Sequence, residues 1–271
     1  MALVLGGGNP LRRIAVAYVN KALILACVLA FVLGLPPEPF AFVPAYVFGT
    51  VDVAAPLPVA DTLRGVFGHV LVHGDPVHLV TNMVALWVFG DNVEDAMGHL
   101  RYLGFFLLCA AAGALGEGAM AVEPMRPLVG ASGAISGVMG AYLLLHPHAK
   151  LLILLFFRIP VLLPASMVVG GDLAANIAMA VFQPAGPGMG DVAWWAHLGG
   201  FAAGMLLVVP LRRAGVPLFH PADTYPEVPF PRLQTVLVDF FPARRRLGDP
   251  VAAAGKAAVY LGLVAVLIWT L

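Results

Sequence analysis

Hydrophobic positions in this chain run in long blocks separated by short polar stretches, and the blocks fall at residues 14–35, 77–93, 102–120, 132–145, 160–182, 194–209 and 254–271. A helix needs about 20 apolar residues to cross a bilayer, so the pattern predicts six spans followed by one more. The fourth block is short for a crossing, which predicts that its helix starts below the membrane surface and is reached through a wet cavity. Residues 36–72 mix Phe40, Phe42, Tyr46 and Phe48 with Pro and Gly, a composition suited to the headgroup boundary. The expected fold class is an all-α membrane protein: a polytopic bundle of six core transmembrane helices plus one C-terminal helix. The expected division is a catalytic core over residues 1–210, a Pro- and Arg-rich cytoplasmic linker over 211–253, and the additional helix over 254–271.

Composition agrees with a bilayer environment. The 271 residues are 61% hydrophobic and 11% charged, against about 45–50% and about 25% in soluble domains. Fifteen basic residues balance fifteen acidic ones, so the chain offers no field to attract nucleic acid, and the partner it must have is lipid. Cys27 and Cys109 fall inside apolar blocks and read as small hydrophobes, and His146-Pro147-His148 is too sparse for a metal site; neither a metal nor a cofactor is expected. Arg12 and Arg13 precede an apolar run too long for a signal peptide and lacking a small-residue cleavage site, which predicts an uncleaved first span.

Orientation follows from the basic residues beside the spans. All but Lys21, Arg64 and Arg126 lie on one side if the N-terminus is cytoplasmic. The excess of Arg over Lys, with abundant Ala, Gly and Pro, points to a GC-rich bacterial genome and hence to the plasma (inner) membrane.

Polar side chains at membrane depth mark function, and here they gather at the starts of the second, fourth and sixth spans. The fourth begins Gly130-Ala131-Ser132-Gly133-Ala134-Ile135-Ser136-Gly137, the sixth contains Ala196-His197-Leu198-Gly199-Gly200-Phe201, and the second reads His78-Leu79-Val80-Thr81-Asn82. These three spans all run from outside to inside, so Ser132, His197, His78 and Asn82 share roughly one depth. Gly133 and Gly137, like Gly200 and Gly204, are spaced i, i+4, the small-residue pattern that lets membrane helices approach closely. Close packing would bring a serine hydroxyl to an imidazole, the minimum for a nucleophile activated by a base. His78 and Asn82, one turn apart on one face, can both donate toward an oxyanion beside the Ser132 N–H.

With these motifs in this order, the chain resembles the rhomboid family of intramembrane serine proteases. The matching stretches are residues 73–94, 130–137 and 196–201. The resemblance implies a dyad in which Ser132 attacks the scissile carbonyl and His197 moves the proton. It assigns His78 and Asn82 to the oxyanion hole and makes other transmembrane proteins the substrates. One departure is the outer loop, where Leu63-Arg64 stands nearest to the Trp-Arg pair of many members.

Other polar residues receive structural readings. Asp172 and Asn176, one turn apart in the fifth span, are expected to serve structure or substrate access. Asp91, Glu94, Asp95 and Arg101 are expected to tie helix ends together. Asp191 precedes His197 by six residues in an outer loop, and Asp191→Asn is expected to retain most activity. A proteolytically silent relative would lack the serine or the histidine, and both are present. A small transporter centred on Asp172 would call for an inverted repeat, and the sequence has none.

Overall fold

The computed structural model describes residues 2–7, 9–48, 58–120, 123–155, 159–182, 192–220 and 238–239. The expected last helix, Asp191 and most of the expected linker lie outside these residues.

The first apolar helix, α1, covers Tyr18–Val32, four residues later than the apolar block begins. The delay has a polar cause. Asp95 accepts the backbone N–H groups of Arg12, Arg13 and Ile14 at 3.2, 2.6 and 2.8 Å, holding that stretch out of the helix. Ala17 at the N-cap offers no side-chain acceptor, so the free N–H groups of the first turn go to Glu94 instead, Val19 at 3.1 Å and Asn20 at 2.7 Å. Of the residues expected to tie helix ends together, Glu94 and Asp95 therefore do so.

Two short helices, α2 (Pro44–Phe48) and α3 (Val59–Gly68), lead to the second apolar run. This run is helical from α4 (Pro76–Ala85) through a wider π turn at Leu86–Gly90 into α5 (Asp91–Met97). Asp75 starts it by accepting the His78 N–H at 2.8 Å, with Pro76 in the first turn. At the π turn the side chain of α1's Asn20 donates to the Leu86 carbonyl and accepts from Tyr102, both at 2.9 Å. Such a turn leaves carbonyls short of partners, and Asn20 supplies one. Gly98, with φ +84°, then turns the chain into α6 (His99–Met120).

The centre of the bundle is α6, α7 (Ser132–Leu145) and α9 (Trp194–Leu211). Glycines let these backbones touch. A Cβ on Gly200 would overlap the Gly133 carbonyl oxygen, and one on Gly204 would overlap that of Gly137; one on Gly113 would stand 2.9 Å from the Ala196 oxygen. Of the described helices, α6, α8 (Ala165–Phe182) and α9 are long and apolar enough to cross a membrane, while α1 and α7 are apolar but shorter.

One part of the architecture departs from expectation. The helical bundle is accompanied by a four-stranded sheet in the order β1 (Ala2–Gly7), β2 (Lys150–Leu155), β3 (Ile159–Pro164), β4 (Val238–Asp239). Its first three strands are antiparallel, with Ile153 opposite Val161, and β4 joins β3 in parallel. The fifth span was expected to start at residue 160; it starts as a helix at Ala165, and Ile159–Pro164 is a strand. A short apolar run reads the same as a buried strand or as the edge of a helix, and Pro164, lacking an N–H, marks the change.

Candidate active site

The loop before α7 brings the first functional side chain into place. Gly130 has φ +103°, and its N–H donates to the His69 carbonyl at 2.9 Å. The positive φ calls for glycine, and the absence of a side chain also leaves room for the His78 ring, whose Nε2 would stand 2.6 Å from a Cβ there. Two residues later Ser132 opens α7. On α9, His197 sits in the first turn, and its Nε2 lies 2.8 Å from the Ser132 Oγ. The backbones of Gly200 and Gly133 meet one turn along.

On α4, the Asn82 side chain donates to the His78 carbonyl at 2.8 Å. His78 and Asn82 line the same cavity as Ser132 and His197, a space of about 770 Å³ whose wall also carries Ser136, Asp172, Asn176, Glu117, Glu123 and Arg126. The four residues singled out in the sequence thus meet around one cavity, as does Ser136. Beside them, the His73 ring packs edge-on against His78 with centroids 5.1 Å apart. Burial, and then the neighbouring His78, hold His73 down to about 4, so it is neutral at physiological pH.

Two residues take positions that the sequence did not reveal. The Asn176 Oδ1 lies 2.7 Å from the His197 Nδ1, so α8, of which structure or substrate access was expected, touches the imidazole directly. Glu117 of α6 accepts the Ala196 N–H at 3.1 Å, holding the start of α9 beside His197. A lone acid in the third apolar block was the only signal for Glu117. Among the described residues, no group of three or more His, Cys, Asp or Glu could hold a metal ion.

A serine hydroxyl within hydrogen-bond distance of an imidazole, beside one cavity of an apolar helical bundle, is the arrangement that an activated nucleophile requires. The Rhomboid domain profile matches residues 60–214, more than half of the chain, and the chain belongs to the rhomboid family, whose members are in general intramembrane serine proteases. It is 32% identical over 149 residues to Rhomboid protein 1, mitochondrial, of Saccharomyces cerevisiae, covering 52% of this chain and 40% of that protein. It is 28% identical over 157 residues to RHOMBOID-like protein 12, mitochondrial, of Arabidopsis thaliana, covering 52% and 44%. Over 74 residues, 27% of this chain and 14% of the relative, it is 42% identical to Rhomboid protease GluP of Bacillus subtilis. The chain spans less than half the length of these curated relatives. Two of them are mitochondrial, so the likeness gives a membrane protein and lends no support to the bacterial plasma membrane.

Proposed function

We propose that the chain is a serine endopeptidase that cuts other membrane proteins in or beside a transmembrane segment. The observation that carries this reading is the 2.8 Å contact between the Ser132 Oγ and the His197 Nε2. In the proposed reaction His197 takes the Ser132 proton as the oxygen attacks the scissile carbonyl, then delivers it to the leaving amine. Water enters through the cavity and hydrolyses the acyl-enzyme by the same proton transfers in reverse. Carbonyl oxygen charge is met by the Ser132 N–H, at the start of α7 and so without a helical partner, and by the His78 and Asn82 side chains. A substrate helix must unwind to present an extended peptide to Ser132, so segments with weak helix propensity are the preferred targets.

The domain reading proposed is a core over residues 1–210, a linker over 211–253 and a further helix over 254–271. A cytoplasmic N-terminus and a bacterial plasma membrane rest on the flanking Arg and Lys residues and the Arg-rich composition alone.

The test is cleavage of single-span reporters by purified protein in liposomes, together with labelling by a fluorophosphonate probe. Ser132→Ala and His197→Ala are each expected to lower turnover by roughly 10⁴–10⁶-fold while the fold is retained. A wild-type protein that cuts no reporter and takes no probe would overturn the reading in favour of a client-binding relative.

A further inference from the structure

We propose that Asn176 of α8, held in turn by Asp172, is a positioning residue that fixes the tautomer and the orientation of the His197 imidazole. The proposal rests on the reading of Ser132 and His197 as nucleophile and base.

The donor and acceptor chemistry leaves one arrangement. The Asn176 amide nitrogen lies 2.8 Å from the Asp172 main-chain carbonyl and 3.1 Å from the Asp172 carboxylate. A main-chain carbonyl only accepts, so the Asn176 NH₂ must face it whatever the protonation state of the Asp172 side chain. The Asn176 oxygen is then turned toward His197, 2.7 Å from Nδ1. An amide oxygen only accepts, so Nδ1 must carry the proton. The Nε2 lone pair is left facing the Ser132 hydroxyl at 2.8 Å, the tautomer that a general base requires. The alternative tautomer would set a bare Nδ1 against the amide oxygen and an Nε2–H against the serine.

Asn176 is 6% exposed, and its side-chain oxygen and nitrogen are taken up by His197 and Asp172. The groups that face the imidazole are Ser132 from α7, Asn176 from α8 with Asp172 behind it, His78 from α4 across the cavity, and Trp194, edge-on with centroids 5.9 Å apart, from its own turn. Glu117 from α6 is taken up by the Ala196 N–H. Among the described residues, Asn176 is the group that fixes Nδ1.

Where the orienting group of a serine nucleophile is a charged carboxylate, presenting the wrong tautomer costs about 10⁴ in turnover. A neutral amide stabilises the imidazolium less, so Asn176→Leu is expected to lower kcat by roughly 10–100-fold with KM within about twofold. In the exchange of Asp172→Asn with Asn176→Asp, the carboxylate at 176 still accepts from Nδ1 while its second oxygen turns from the main-chain carbonyl to the new side-chain NH₂ at 172, and kcat is expected to stay within about tenfold of wild type.

The experiment combines these kinetics with ¹⁵N NMR of histidine-labelled protein in detergent, the His197 signals being assigned from His197→Ala. Wild type is expected to show a protonated Nδ1, Asn176→Leu a mixture of tautomers, and the double exchange a protonated Nδ1 shifted downfield by the carboxylate. Wild-type turnover and an unchanged Nδ1 signal in Asn176→Leu would overturn the proposal. If that variant does not fold, an unshifted signal in the double exchange overturns it equally. The tautomer is read in resting protein, so a wild type that responds at Nδ1 but cuts nothing would sink the protease reading and leave the positioning role standing.

Discussion

Replacing Gly200 by alanine tests whether backbone contact between α7 and α9 sets the catalytic geometry. A Cβ at this position overlaps the Gly133 carbonyl oxygen, next to Ser132, and His197 is one turn away on the same helix. The neighbouring contacts leave no slack: Cβ atoms on Gly137 and Gly140 would stand 2.8 and 2.7 Å from the Gly200 and Phe201 oxygens, where 3.4 Å is comfortable. Relief at Gly200 therefore requires the helices to separate by more than about 1 Å, because backbone cannot swing aside as a flexible side chain can. A shift of that size stretches the 2.8 Å serine–histidine hydrogen bond past the distance at which it holds. The expected result is a loss of roughly 10² in reporter cleavage and probe labelling, with a stability loss of about 1–3 kcal/mol by thermal unfolding in detergent. Gly104→Ala is the control: it lies within α6 with nothing inside 4 Å of the added carbon, and should stabilise by about 0.5–1 kcal/mol through helix propensity. If Gly200→Ala melts and cleaves like wild type, the close approach of the two backbones is not what positions the dyad.

Other expectations follow from the polar ties around the bundle. Asp95→Ala strips the acceptor from three backbone N–H groups ahead of α1 and should cost about 2–3 kcal/mol by thermal unfolding, with Asp95→Asn less harmful; equal stability of both with wild type would refute the clamp. Glu117→Leu should lower reporter turnover and stability, by about 1 kcal/mol for the latter, while Glu117→Gln keeps an acceptor for Ala196 and stays near wild type; the two variants behaving alike would refute this. Burial holds His69 and His73, both outside the spans, down to about 4 from 6.5. Between those values the unfolded chain binds more protons than the folded one, so stability is complete above pH 6.5 and falls as pH drops toward 4, by on the order of 3 kcal/mol per histidine. His69→Gln, which keeps a donor for the Gly65 carbonyl, should flatten that slope in unfolding measured across pH 4–7; an unchanged slope would refute the assignment.

The linear chain determined the class of this protein and the residues that meet in its site. Long apolar blocks admit few structures other than membrane helices, because backbone polar groups in lipid must be satisfied within each segment. Polar residues in those blocks are costly enough to stand out, which is why Ser132, His197, His78 and Asn82 were legible without a structure, and the glycine spacing identified the helices that touch. The tertiary structure decided what depends on contacts between segments distant in sequence. Asp95 held residues 12–14 out of α1, and Glu94 took the free N–H groups of its first turn, each across about 80 positions. The strand at Ile159–Pro164 exists because β2 is beside it to pair with, and an apolar run carries no mark of its partner. Asn176 was visible as a polar interruption of a span, but its tie to His197 depends on how α8 is rotated against α9. Only packing fixes that rotation, so the third link of the serine–histidine pair was hidden until the helices were in place.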